Sequence, residues 1–168
     1  EYSIVGEVPL PPMNVMGGDK EPLVAITNAD TSVKESNGTN FGMTTLSGKT
    51  IENAFLLQNF GATSDIFNVS VSLEDGDHFT NVTAPVGSIL PITTNDHGKY
   101  LVIAFDSTTT GMHRDTVTIS YEAGAGVEQF EFAIAGTLTP TVTEDNYNDS
   151  MNHLAANAFD LTLLPDVW

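Results

Sequence analysis

The chain has 168 residues and carries 22 Asp and Glu against 5 Lys and Arg, a formal net charge of −17. Binding of phosphate backbones or anionic headgroups needs clustered cations, and here the few cations are scattered, so nucleic acid is excluded as an expected partner. The sequence contains no cysteine, which excludes disulfides, thiolate zinc sites and a cysteine nucleophile.

The hydrophobic content of 40% predicts a globular domain, and a chain of this length can bury a sizeable core. No apolar run reaches the about 20 residues that a membrane-spanning helix needs, so we expect no membrane insertion. The first residues show a strand-like pattern and no signal peptide, and we therefore expect the natural N-terminus to lie further upstream.

Strand patterns recur from residue 55 to residue 134. An apolar run at 55–61 is followed by period-2 alternation at 67–73, 117–121 and 130–134, which is typical of strands with one buried face. The run 100–105 is apolar on both faces, which predicts a central strand covered on both sides. The predicted core consists of Phe55, Leu57, Phe67, Val69, Val71, Leu101, Ile103, Phe105, Val117, Ile119, Phe130, Phe132 and Ile134.

Turn-forming residues separate these runs, and the region up to about residue 140 has no stretch of helical periodicity. The turns are Ser36-Asn37-Gly38, Asp75-Gly76-Asp77, Asn95-Asp96-His97-Gly98, Thr110-Gly111 and Gly124-Ala125-Gly126. Short strands at this spacing predict an all-β, immunoglobulin-like antiparallel β-sandwich with Greek-key connections.

Two segments of the chain repeat each other. Residues 1–8 align without gaps on residues 131–138, and the shared order is Glu, aromatic, small, Ile, small, Gly, any residue, aliphatic. The segments lie 130 positions apart, which is about one sandwich domain. We interpret residues 1–8 as the last strand of a preceding copy, so the parent protein is expected to be a tandem array.

After Pro140 the composition changes, because residues 141–168 contain five carboxylates and no Lys or Arg. Met151 to Leu161 has the pattern of a short helix with Ser150 as its N-cap. We interpret the segment as a linker and the opening of another module.

The ordered motifs of the central segment resemble the bacterial choice-of-anchor D repeat, a relative of the ASH/MSP/HYDIN immunoglobulin-like domains. The matching elements are Pro11–Gly18, Gly38–Gly42, Phe55–Gly61, Asp77–Thr80, Val102–Ser107 followed by Gly111 and Val117–Ile119, and Phe132–Gly136. Ser107 stands where the family usually has proline. The tail, at 145–150 and 156–161, resembles the start of bacterial pre-peptidase C-terminal-type domains. Both resemblances imply a bacterial exported protein built as a string of modules.

Calcium is the one ligand that the residues suggest. Glu74, Asp75 and Asp77 place three carboxylates on one loop, and Asp145 with Asp149 forms a second candidate. Hard cations prefer such oxygens, although neither stretch has EF-hand spacing. The alternative interpretation is that these carboxylates only solvate an acidic surface.

No catalytic pattern is recognisable. His78, His97, His113 and His153 share no metal-ligand spacing, and no serine lies in a Gly-x-Ser-x-Gly elbow. Paired carboxylates could in principle cleave glycosides, but acidic residues on a sandwich are usually its solvated face. We therefore expect no enzymatic activity, no catalytic residue and no cofactor other than calcium.

The sequence divides into residues 1–11, the last strand of a preceding repeat with its linker; 12–139, the sandwich; and 140–168, the acidic linker and the start of a following module. We expect a structural or spacer module of a large secreted or cell-surface bacterial protein, with neighbouring domains of the same polypeptide as its partners. The alternative is a recognition module that binds a glycan or a surface protein through its loops, with or without calcium.

Overall fold

The computed structural model describes residues 13–45, 47–59, 65–87, 98–124 and 126–140. Residues 1–11 and 141–168, the turn at 95–97 and the helix expected at 151–161 therefore lie outside the described residues. The described part contains the strands β1 (Met13–Gly17), β2 (Val24–Ile26), β3 (Asn40–Thr44), β4 (Ile51–Asn59), β5 (Ile66–Leu73), β6 (Phe79–Thr83), β7 (Lys99–Phe105), β8 (Gly111–Ala123) and β9 (Gly126–Leu138). It contains no helix that is long and apolar enough to cross a membrane.

The strands form two sheets, and the predicted immunoglobulin-like sandwich is confirmed. One sheet has the order β2-β1-β4-β7-β6 and the other the order β3-β9-β8-β5. The chain passes between the sheets from β2 to β3, β3 to β4, β4 to β5, β5 to β6 and β7 to β8. All pairs are antiparallel except β3 with β9, which run parallel, a detail that strand patterns alone do not contain.

The core lies between the sheets and is rich in aromatic rings. The rings of Phe55 and Phe132 lie 5.2 Å apart across the two sheets, and those of Phe79 and Phe105 lie 5.1 Å apart within one sheet. Eleven of the thirteen predicted core residues are buried. Val71 is partly buried and packs against the core, whereas Phe67 is outside it.

The prediction that Phe67 belongs to the core is wrong, because β5 contains a bulge. The pairing of β5 with β8 shifts register between Phe67 and Ser70, and Asn68 adopts a left-handed conformation at φ 50°. The extra residue reverses the side-chain alternation, so Ile66 and Val69 face inward and Phe67 is 41% exposed.

The second difference concerns β7, which the sequence predicted to be covered on both faces. Leu101, Ile103 and Phe105 are completely buried between the sheets, but Tyr100 on the other face is 55% exposed. The described residues form two layers, and β7 lies between β4 and β6 in its sheet. Its outer side is covered only in part, because Ala104 is buried and Val102 is partly buried whereas Tyr100 is open to solvent.

The first strand begins at one end of the sandwich, and the last strand finishes at the other end. Met13, where β1 begins, pairs with Asn59 at the far end of β4. Leu138, where β9 finishes, pairs with Gly111, and β8 begins at the end where β7 finishes at Phe105. The chain therefore enters the sandwich at one end and leaves it at the opposite end.

The outer edge of β9 is covered along much of its length. The side chain of Asn28 accepts a hydrogen bond from the Glu131 amide at 2.8 Å and donates one to the Gln129 carbonyl at 3.3 Å, as a neighbouring strand would. Further along, the amide of Ala133 donates to the Asp30 carbonyl and that of Ala135 to the Thr39 carbonyl. This cover stops the long edge from templating aggregation.

The sheets pack closely at Gly136, where an added Cβ would lie 2.7 Å from Cδ1 of the buried Phe105 ring. We expect Gly136→Ala to reduce the free energy of unfolding by about 2 kcal/mol, the usual cost of overpacking. Gly126→Ala is the matched control on the same strand, because its methyl group would meet nothing within 4 Å. Urea denaturation measures both, and equal stability of the two variants would contradict the packing argument.

Candidate functional site

The acidic loop between β5 and β6 is organised around a buried carboxylate from another strand. The amides of Glu74, Asp75 and Gly76 donate to the Asp115 carboxylate over 2.9, 3.2 and 3.0 Å. Asp115 lies on β8 and is only 6% exposed. Successive main-chain N–H groups that converge on an anion stabilise it, so this loop uses its backbone to hold a negative charge of the protein itself.

The three carboxylates predicted to bind calcium surround this arrangement but do not take part in it. Glu74, Asp75 and Asp77 are all exposed. Across the described residues, no three His, Asp or Glu side chains are grouped so that they could hold a metal ion. Calcium binding by this loop stays a prediction, and the second candidate, Asp145 with Asp149, lies outside the described residues.

Two histidines that are 35 positions apart in sequence meet beside the same loop. The ring centroids of His78 and His113 lie 3.8 Å apart with the planes at 41°. His78 precedes β6 and His113 lies near the start of β8, so the contact joins the two sheets at the Leu138 end. Sequence spacing contained no signal for this pair, because the β5–β6 loop and the start of β8 meet only in the folded sandwich. His97 and His153 lie outside the described residues.

His113 also contacts a serine, but not as a general base. Its Nε2 lies 2.7 Å from the Thr109 carbonyl oxygen and 3.1 Å from Ser107 Oγ. A carbonyl oxygen only accepts, so Nε2 carries a hydrogen in this contact and is not free to take a proton from the hydroxyl. Ser107 is buried, and its Oγ bonds the Thr109 carbonyl and amide, which shapes the β7–β8 turn.

A groove of about 530 Å³ lies on the outer face of the β3-β9-β8-β5 sheet. Its polar lining combines carboxylates with hydroxyl groups, and these residues are Asp30, Thr31, Ser72, Glu74, Thr116, Thr118 and Glu131. Its volume lies within the range of small-ligand sites. The outward positions of β8 and β9 supply its floor, and the segment that covers the edge of β9 forms one wall.

In the wall of the groove, the carboxylate of Asp30 is held by hydrogen bonds and an ion pair. The Ser32 hydroxyl and amide both donate to the Asp30 carboxylate, the amide at 2.9 Å, and Lys34 adds an ion pair at 3.4 Å. These hydrogen bonds, with a smaller contribution from the Lys34 charge, hold the pKa of Asp30 below its ordinary value. Asp30 therefore presents a fixed negative charge at neutral pH.

The comparisons with known proteins found no family model and no curated protein that matches the chain. Among solved structures it is similar to the VesB protease of Vibrio cholerae (TM-score 0.48, 12% identity, 58% of this chain and 29% of that one). It is also similar to the ASH/PapD-like domain 7 of human CEP192 (TM-score 0.45, 16% identity, 73% and 94%) and to the N-terminal domain of PorA (TM-score 0.44, 18% identity, 75% and 96%). The chain thus spans less than a third of VesB, and the fold assignment rests on its own sheet topology.

Asp115 provides a direct test of the loop. In Asp115→Asn one oxygen becomes an NH2 group that faces backbone donors, and the negative charge is lost. We expect the free energy of unfolding to fall by about 2 kcal/mol, the range for charged hydrogen bonds. Asp77→Asn is the control, because it removes the same charge from an exposed position. If urea denaturation gives the two variants equal stability, the loop does not depend on Asp115.

The calcium prediction is tested by thermal melting. A site that is filled only in the folded state raises the melting temperature, and at a hundredfold excess over Kd it adds about 2.7 kcal/mol. If the loop binds calcium, calcium raises the melting temperature of the chain, magnesium raises it less, and the Asp75→Asn, Asp77→Asn double variant loses the effect; if the carboxylates only solvate the surface, none of these changes occurs. A melting temperature that calcium leaves unchanged would remove this loop as a calcium site.

Proposed function

We propose that the chain is a non-catalytic spacer module of a large secreted or cell-surface protein, joined end to end with neighbouring domains of the same polypeptide. The observation that carries the proposal is the position of the first and last strands, which begin and finish at opposite ends of the sandwich. A module of this kind lengthens a string of domains instead of folding back on it, and it holds adhesive or catalytic domains away from a surface.

The internal repeat matches the positions of β9 whose side chains face the core. Phe132, Ile134 and Leu138 are buried, and Gly136 lies directly under the Phe105 ring. Residues 2, 4, 6 and 8 repeat these four positions as Tyr, Ile, Gly and Val. The match thus falls on the residues that a β9 strand needs to close its own core, which supports a preceding sandwich of the same type.

The junction between such copies would be short and stiff. Pro9-Leu10-Pro11-Pro12 separates the repeated segment from the start of β1 at Met13. Proline-rich linkers favour extended polyproline II and act as semi-rigid spacers. The motifs shared with the choice-of-anchor D repeat favour the same interpretation, since that resemblance implies bacterial exported proteins with a modular organisation.

The proposal predicts the dimensions of a tandem. Two copies of residues 13–138 joined by Pro9-Leu10-Pro11-Pro12 should exceed one copy in maximum dimension by about 55 Å, because β9 has 13 residues at about 3.3 Å each and the linker has four at about 3.1 Å each. Small-angle X-ray scattering measures this length. A tandem with a Gly-Ser-Gly-Ser linker is the control and should be shorter on average. Two copies packed side by side would contradict the proposal.

The groove on the β3-β9-β8-β5 sheet favours a second candidate, a recognition module for a glycan or a protein. Carboxylates and hydroxyls in a concave site can bond the hydroxyls of a sugar or the cationic groups of a peptide. Glycan arrays and pull-downs from cell-surface extracts, each with and without calcium, separate the candidates. A spacer binds nothing in either, whereas binding that Glu131→Gln removes would favour recognition.

A further inference from the structure

On the outer face of the β3-β9-β8-β5 sheet, the large apolar side chains that are exposed lie at the two ends of the strands. Where β9 begins, Val127 pairs with Glu122, and Glu122 pairs with Phe67 on β5. Phe67 is 41% exposed and Val127 is 71% exposed. Phe67, Glu122 and Val127 form the entry row of this face, at the end of the sandwich where β1 also begins.

A second row crosses the same face where β9 finishes. Met43 on β3 and Met112 on β8 pair with Thr137, the last residue but one of β9, from its two sides. Both methionines are 68% exposed. Arg114 is exposed two positions further along β8, on the same side of that strand as Met112. Met43, Met112 and Arg114 form the exit row.

The two rows are too far apart to meet within one chain. Positions 127 and 137 of β9 are separated by about 33 Å, at about 3.3 Å per residue. The outward positions of β8 and β9 between them carry mainly polar side chains, namely Thr116, Thr118, Ser120, Gln129 and Glu131. The exposed apolar side chains of this face therefore lie where one sandwich would meet the next, and the water-facing middle of the face is polar.

The apolar members of the two rows have chemistries that fit each other. The exit row presents two flexible thioether side chains, Met43 and Met112, and the entry row presents the aromatic ring of Phe67 beside Val127. Methionine sulfur packs favourably against aromatic rings, and its flexible side chain adapts to irregular surfaces. Contact of unlike rows thus gains more than contact between two rows of the same kind.

The charged members of the two rows are also complementary. Arg114 in the exit row is a cation, and Glu122 in the entry row is an anion. Within the part of the chain that the structure describes, the ion pair is formed by Lys34 and Asp30, and neither Arg114 nor Glu122 takes part in one. Opposite charges on two surfaces select the partner and its register. Two rows of the same kind would instead bring like charges together.

The size of the rows indicates which partner can use them. Each row exposes two large apolar side chains, far less than the about 800 Å² that each partner buries in a stable complex of free proteins. Each chain also carries a net charge of −17, so free copies repel each other. A short linker raises the effective concentration of a neighbouring domain to about the millimolar range, where a contact this small can form.

We propose that the exit row of one copy of this sandwich packs against the entry row of the next copy, with Arg114 facing Glu122 across the junction. The contact joins two different surfaces, so it can repeat along an array without closing into a ring. It would fix the rotation of each module about the axis of the string. This inference rests on the end-to-end arrangement proposed above and adds the surfaces that meet in it.

Disulfide trapping between full chains tests the contact. The sequence has no cysteine, so Met43→Cys and Val127→Cys each introduce a single thiol, one in each row. The two variants are mixed in equal amounts in a glutathione buffer, at about the millimolar concentration that a short linker provides. We expect the ratio of mixed to like dimers to exceed that of random pairing several-fold. Thr118→Cys in place of Val127→Cys is the control, because it moves the thiol to the middle of the face, and it should give random pairing.

A charge exchange separates the proposed contact from chance proximity. Arg114→Glu in the Met43→Cys chain should remove the excess of mixed dimers, and Glu122→Arg in the Val127→Cys chain should restore it. Glu52→Arg is the matched control, because it changes the net charge equally from an exposed position on the other sheet and should restore nothing. Equal recovery with both substitutions would contradict the pairing of Arg114 with Glu122.

The remaining outcomes also decide the proposal. Random pairing of Met43→Cys with Val127→Cys would overturn it, and an excess of like dimers would show that rows of the same kind meet, which overturns it as well. Small-angle scattering of the tandem measures length without reference to these rows. An extended tandem together with random disulfide pairing would therefore remove this contact and leave the spacer proposal in place.

Discussion

The ring of Phe105 lies against the bare backbone of Gly136, and much of the sandwich depends on this contact. Phe105 is the last residue of β7 and Gly136 lies near the end of β9, so the contact joins the two sheets where the chain leaves the fold. The Phe105 ring also lies 5.1 Å from Phe79 and 6.1 Å from His113. A side chain at position 136 would push the sheets apart at this point.

Period-2 patterns were enough to predict the fold class and most of the core, because a two-layer sandwich buries every second residue of each strand. They failed at Phe67, where one residue in a left-handed conformation reverses the alternation within β5. A bulge is a local backbone event with no fixed sequence signature, since Asn tolerates that conformation but does not require it. The parallel pairing of β3 with β9 could not be predicted from these patterns either, because it depends on how the chain crosses between the sheets.

At the candidate site, too, the sequence pattern identified some residues and missed others whose role depends on the folded structure. The acidic loop was recognisable as a group of carboxylates, yet the residue that organises it, Asp115, was missed. A signal was present: Asp115 occupies the alternation that continues through Val117, Ile119 and Tyr121, so it belongs to the inward face of β8. A charged residue on that face must find partners, and the amides of the β5–β6 loop provide them. The contact of His78 with His113 had no comparable signal, because no pattern in the sequence links the two positions.

If the module is joined end to end as proposed above, its two ends are used for linkage, and its sheet faces are the surfaces on which individual modules can differ. Here the two outer faces differ, since one carries the groove with Asp30 and Glu131 and the other exposes Tyr100. Neither is required by the core, because the outward residues of a strand can change without disturbing the inward ones. The core therefore explains why the sequence forms a sandwich, whereas the outward residues can vary between sandwiches that share this core.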